Sequence, residues 1–193
     1  MTFPRRVTLA AAALLLLAGC GAGPAASADG DPAATAPAAA YNDADVMFLQ
    51  MMINHHGQGV EMAQLAEQRG SRQEVKLLAA AVVTTQTDEI GTMKSWLQEW
   101  GEPTDVDRAP SAHAAHGGLP ATGETELAAL KTATGRQFEQ QFLNLFVGHQ
   151  HNAIEMARAE ATDGASPQAK ELATRIERSR AGQIQQMLGL ISG

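Results

Sequence analysis

His55 and His56 follow Met51 and Met52 and precede Glu61 and Met62, and the same kinds of side chain return as His149, His151, Glu155 and Met156. Imidazole nitrogens and thioether sulfurs are donors for soft metal ions, cuprous copper above all. Calcium and magnesium require several oxygens instead. The spacing belongs to a repeat: residues 48–63, FLQMMINHHGQGVEMA, return 94 positions later as residues 142–157, FLNLFVGHQHNAIEMA, without a gap. The same offset pairs Gly70 with Gly164, Lys76 with Lys170, Leu78 with Leu172, Ile90 with Ile184 and Met93 with Met187. An ungapped match over about fifty residues marks an internal duplication.

On a helix each residue advances about 100°, so with His55 at zero Phe48 falls near 20°, Met51 near −40°, Met52 near 60°, Gly59 near 40° and Met62 near −20°. His55 therefore lies in the apolar stripe, and His149 lies in the equivalent stripe with Phe142, Leu145, Phe146, Ala153 and Met156. A histidine in such a stripe is commonly a core residue whose ring nitrogens find partners. Its recurrence at both equivalent positions favours a second reading, in which pseudo-twofold packing brings His55 and His149 together and two buried imidazoles, costly to protonate, hold a metal. Met51 and Met52, one turn before His55, are placed to add thioether ligands. Met62 and Met156 lie two turns beyond the histidines, too far to share their ion; they serve a second site or pack as core. His56 and His151 lie off the axis of the stripes. Glu61 and Glu155 fall near −120°, about a third of a turn away, where a carboxylate is solvated or ion-paired, with Lys76 and Lys170 as candidate partners.

Four long helices position these residues. The first starts at Asn42 or Asp43, either of which caps free amides, and closes at Gly70. Ser71 with Glu74 reads as a capping box opening a second helix to Trp100, ended by Gly101. Thr134 with Gln137 is another capping-box signature, Asp163-Gly164 supplies a turn, and Ser166-Pro167 sets the N-cap and first position of the last helix. Between the hairpins, prolines and glycines mark a crossover, with a short helical turn over residues 124–131. No segment shows sustained period-two alternation, so strands are not expected. The expectation is all-α: a four-helix bundle made of two duplicated hairpins, residues 42–101 and 134–193, joined by a crossover loop over 102–133.

Ahead of the bundle, Arg5 and Arg6 precede an apolar run over residues 7–18 that is too short to span a bilayer. Residues 1–19 read as an export signal. Leu17-Ala18-Gly19-Cys20 resembles the lipobox of bacterial lipoproteins, which implies lipidation of Cys20 and a membrane-anchored protein facing outside the cytoplasm; the plainer alternative is a secretory signal with a chance cysteine. Residues 20–41, rich in Ala, Gly, Pro and Asp, read as a flexible tether. Cys20 is the only cysteine, so no intrachain disulfide and no thiolate cluster can form. The formal charge of −7 argues against nucleic acid as a partner.

His55-His56 with Glu61-Met62-Ala63, then Gln86-x-x-Glu89-Ile90-x-x-Met93 and Trp96-Leu97, together with the second copy, resemble the domain-of-unknown-function 305 family over residue 43 to the C-terminus. The resemblance implies a ferritin-like four-helix fold and, as in some members, copper or silver binding outside the cytoplasm through methionine and histidine. The chain departs from the family pattern at His149-Gln150-His151, where adjacent histidines are usual, at Phe146, where methionine is common, and at His113 and His116, where methionines are often found.

A ferritin-like label invites a di-iron enzyme, which needs about four carboxylates and two Glu-x-x-His pairs. The sequence has none of the latter. There is no nucleophile elbow and no glycine-rich phosphate loop, so neither an enzyme nor a nucleotide or organic cofactor is expected. The reading that results is a cell-envelope protein binding copper for sequestration or handling, with His55 and His149 as core ligands and Met51, Met52 and Met62 as supplements. Its rival is a lipid-anchored bundle that binds a protein or envelope partner, with the histidines hydrogen-bonded in the core. His113 and His116 are a separate matter: His-x-x-His in the crossover loop can take a divalent ion weakly, or serve as a capture arm that delivers metal to the bundle.

Overall fold

The computed structural model describes residues 40–107 and 121–193. These fall within one compact unit, residues 38–193. The expectations for the export signal, for Cys20, for the body of the tether and for His113 and His116 concern residues outside the described ones. Among the described residues the secondary structure is entirely helical: α1 (Asp43–Arg69), α2 (Gln73–Trp100), α3 (Glu124–Thr132), α4 (Gly135–Asp163) and α5 (Pro167–Ser192). α1 pairs with α2 and α4 with α5 as two hairpins that meet along α1 and α4. The short turn expected over 124–131 is α3, which lies on α4.

Two carboxylates at equivalent positions fasten the hairpins to each other. Asp45, third residue of α1, completes a capping box with Asn42 and also accepts from the backbone amides of Ala165 and Ser166, at 3.0 and 2.9 Å, where α5 begins. Its counterpart 94 positions on, Glu139 near the start of α4, accepts from the amides of Ser71 and Arg72, at 2.7 and 2.9 Å, where α2 begins. The start of each inner helix thus meets the end of the other, so α1 and α4 run antiparallel. Burial pulls the pKa of Glu139 upward, but the hydrogen bonds from Arg72 and Ser71 outweigh it and hold the group at about 2.

Glu139 also explains a correction. Ser71 does not form a capping box with Glu74: α2 has Arg72 as its N-cap with no side-chain cap, and the Ser71 hydroxyl donates to Glu139 at 2.7 Å. The tertiary carboxylate satisfies the amides that a local box would have served. Thr134 is likewise an N-cap without a side-chain bond. Ser166 caps α5 as expected, accepting from Ala169, with Pro167 at the first position. Gly101 ends α2 at φ 76°, where a side chain would be strained. Tyr41, assigned to the tether from sequence, is tied down: it stacks on Trp100 at 4.2 Å and donates to the Trp100 carbonyl at 3.0 Å.

Apolar packing gathers in two clusters. One joins Met62, Val75, Phe138, Phe142, Phe146 and Met187; the other joins Phe48, Leu49, Met52, Met93, Leu97 and Ile176. Fully burying a side chain of this size contributes about 1.5–3 kcal/mol. Along both inner helices the histidines fall between the two clusters, which excludes water from them.

Candidate metal centre

His55 and His149 meet in the core. Both are buried, and their rings stack with centroids 3.7 Å apart and planes 12° from parallel. Phe146 also stacks on His149, with centroids 5.4 Å apart, and the Thr122 hydroxyl lies 3.0 Å from His149 Nδ1. His55 Nδ1, His55 Nε2 and His149 Nε2 have no hydrogen-bond partner, nor does the buried amide of Gln86. Gly59 brings these groups together: a Cβ there would collide with Gln86 Oε1 and lie 2.9 Å from His149 Nε2. Its counterpart 94 positions on is Ala153.

Both rings are held neutral. Burial lowers the pKa of His149 to about 3, helped by His56 and the Arg180 guanidinium. Burial, then His149, His56 and Arg180, push His55 well below the ordinary histidine range. Neutral imidazoles carry lone pairs for a metal. Those lone pairs lie in the ring planes, however, and stacked planes place them side by side, so joint ligation of one ion needs a ring to turn.

His56 has a different role. Its Nε2 lies 2.7 Å from Glu89 Oε2 and 3.2 Å from Arg180, which also pairs with Glu89, forming a buried ion-paired triad. At the equivalent positions Gln150 donates to Gln183, and Gln86 stands where the other half has Arg180. The duplicated halves thus share one contact, charged in His56–Glu89 and an amide pair in Gln150–Gln183, while Gln86 makes no hydrogen bond where Arg180 reaches both His56 and Glu89. The buried arginine left a sequence signal that went unused: it interrupts the apolar stripe of Ile176, Ile184 and Met187.

The methionines divide. Met52 and Met62 are wholly buried in the two clusters and stand as core, apart from the histidine stack in role. Met51 and Met156 line a groove between α1 and α4 together with Met47, which sequence reasoning missed although it stands one turn before Met51. The groove has a volume of about 230 Å³, with Phe48, Ala44 and Ala159 adding apolar wall and Asn152, Glu155, Glu160 and Asp163 the polar part. His151 is exposed. Glu61 and Glu155 are exposed and ion-paired, with Lys131 at 2.6 Å and Arg158 at 2.9 Å in place of the expected Lys76 and Lys170. Lys170 instead donates to the Gly164 carbonyl. Among the described residues no three His, Cys, Asp or Glu side chains are arranged to hold an ion. The donors that do gather are thioethers in the groove and imidazoles in the core, both suited to a soft monovalent ion.

The model of the family described as domain of unknown function, DUF305, matches residues 45–191. Among solved structures, a DUF305 protein from Streptomyces coelicolor described as secreted is 29% identical, with a TM-score of 0.72 over 77% of this chain and 92% of that one. A DUF305 fragment from Deinococcus radiodurans is 28% identical, with a TM-score of 0.69 over 78% and 97%. CopM in its Cu(I)-bound form is 30% identical, with a TM-score of 0.62 over 77% and 95%. CopM has also been solved in Cu(II)- and Ag-bound forms. No curated protein matches the chain.

Proposed function

The chain belongs to the DUF305 family, and from that premise we propose that it is a cell-envelope protein that binds a soft metal ion, cuprous copper, for sequestration or handling rather than for catalysis. The observation that carries this reading is the α1/α4 groove, which gathers Met47, Met51 and Met156 from two helices in a cavity open to solvent. Thioethers without thiolate select a soft monovalent ion over zinc or the hard cations. CopM, of similar fold, binds Cu(I) and silver. Lipidation of Cys20, read from the lipobox, would hold the bundle at the outer face of the membrane, and among the described residues no helix is long and apolar enough to cross one.

The His55–His149 pair is the second candidate for the same ion, favoured by its three unpartnered nitrogens. One experiment separates the two. Residues 38–193 are titrated anaerobically with Cu(I) against a chromogenic chelator, beside a Met47→Leu/Met51→Leu/Met156→Leu variant. Leucine for methionine conserves volume and costs less than about 1.5 kcal/mol per site, so the fold persists. Tight binding in the parent that is lost in the variant supports the groove. Binding kept in the variant moves the site to the histidines, and a parent that never competes with the chelator refutes copper binding. Metal that binds only the folded chain also raises its melting temperature.

A further inference from the structure

We infer that the α1/α4 groove is the docking site for an amphipathic helix of a partner protein, carrying two aliphatic residues three positions apart and flanked by lysine or arginine. The inference comes from the other end of the same seam. There α3 covers the surface between α1 and α4: Leu130 is buried, and with Leu127 it packs in the cluster that holds Met62, Phe142 and Leu145. Lys131 pairs with Glu61 at 2.6 Å, Arg69 donates to the carbonyls of Lys131 and Ala133, and Gln58 accepts from the Thr122 amide at 3.1 Å.

Moving that bed by 94 positions gives the open groove. Met62, Phe142 and Leu145 become Met156, Phe48 and Met51; Glu61 becomes Glu155, Gln58 becomes Asn152 and Arg69 becomes Asp163, and all six line the cavity. The fold therefore builds one helix-binding surface twice. It fills one with its own α3, and among the described residues only α1 and α4 line the other.

One difference defines the occupant. Asp163 replaces the arginine that receives the carbonyls at the end of α3, so this end of the groove repels carbonyls and attracts a basic side chain. Glu155 keeps the place of Glu61 but already pairs with Arg158 on its own helix at 2.9 Å, so the selection for a basic residue rests on Asp163. A second copy of this chain fits poorly, because its formal charge is −7 and its α3 brings Glu124 and Glu126 towards an acidic rim. The pattern is that of helix-in-groove recognition, with anchors on one face and charges at the margins.

The test uses residues 38–193 with methionine methyls labelled, freed of metal by a chelator, so that it does not depend on whether the thioethers ligate copper. The probes are two capped peptides of residues 123–134, one native and one carrying Thr134→Arg, an exposed position next to the Ala133 carbonyl that Arg69 binds in the covered groove. The expected result is saturable shifts of the Met47, Met51 and Met156 methyls, with the Thr134→Arg peptide binding about threefold tighter than the native one, as one exposed charge pair gives. Asp163→Arg in the protein should reverse that order, and Ala159→Trp, which fills the groove from an exposed helical position, should abolish the shifts while helix content is unchanged. No methyl shift at millimolar peptide, or shifts that survive Ala159→Trp, overturn the inference. So does self-association that Ala159→Trp removes, which assigns the groove to a second copy. Binding seen only after deletion of Ser111 to Gly117 assigns it to this chain's own segment and overturns the inference as well.

Discussion

Glu160 is buried near Asp45, and its pKa is pushed up to about 8, first by burial and then by the neighbouring Asp45 carboxylate. The unfolded chain loses this proton near the ordinary value of 4.5. Stability from this group is therefore fully present below about pH 4.5 and is lost progressively as pH rises towards about 8. At about 1.4 kcal/mol per pKa unit, the climb from 4.5 to 7 removes about 3 kcal/mol. Glutamine has the same shape and no proton to lose, so Glu160→Gln should gain about 3 kcal/mol on the parent between pH 4.5 and 7. For a domain of this size that is about 6–12 °C in melting temperature. His55 and His149 act in the opposite sense: neutral in the fold, they cost stability as pH falls below about 6.5, where the unfolded chain takes up protons. Both proteins carry that effect, so the difference between their melting curves, taken in steps from pH 4.5 to 8, isolates Glu160. A difference that stays flat across this range would refute the reasoning.

The same linkage with opposite sign applies to Glu139, whose pKa is held at about 2. Its contribution is present above about pH 4.5 and is lost as pH falls towards 2, so Glu139→Gln should cost about 3 kcal/mol at pH 7 and little at pH 2.5 by chemical denaturation. Gly59→Ala is a test of sign. Helix propensity alone predicts a gain of about 1 kcal/mol, whereas the collision with Gln86 and His149 predicts a loss of about 1–3 kcal/mol. For the buried triad, Arg180→Gln alone should cost about 3–5 kcal/mol, because it leaves Glu89 with only His56. Combining it with His56→Gln and Glu89→Gln copies the amide arrangement of the other half and should recover most of the loss in denaturant melts.

Periodicity made most of the fold legible. The 94-residue offset and the caps at Asn42 and Ser166 carried the two hairpins and, through pseudo-twofold packing, the approach of His55 to His149; the antiparallel run of α1 and α4 came from the structure. What the sequence concealed was long-range in origin. The Ser71 box failed because Glu139, 68 positions away, claims the same amides. Glu61 found Lys131 rather than Lys76 because α3 lies over α1 at that point. The orientation of the two imidazoles, stacked rather than edge to edge, depends on Phe146, Thr122 and Gly59 together, and helical angles carry no information about ring rotation. Met47 was legible by its spacing from Met51, but as a groove residue it acquires meaning only with Met156 opposite.

A duplicated hairpin begins with two of everything, and the halves have diverged where a single copy suffices for stability. The capping role is kept in both, by Asp45 and Glu139, since each turn between helices needs its amides satisfied. The polar contact within each hairpin, α1 to α2 and α4 to α5, is charged in one half and an amide pair in the other, which the fold tolerates because both versions retain a side-chain hydrogen bond at the equivalent positions. The grooves differ most. One is closed by Leu130 and contributes to the core; its counterpart has become richer in thioethers and in carboxylates, with Met51 for Leu145, Met47 for Gln141, Glu160 for Ala66 and Asp163 for Arg69. A groove that only awaited another apolar cover would gain nothing from Asp163 or from a third sulfur. The substitutions instead exchange self-covering contacts for soft donors and, at Asp163, for negative charge, the chemistry that the proposed metal ion and basic partner require.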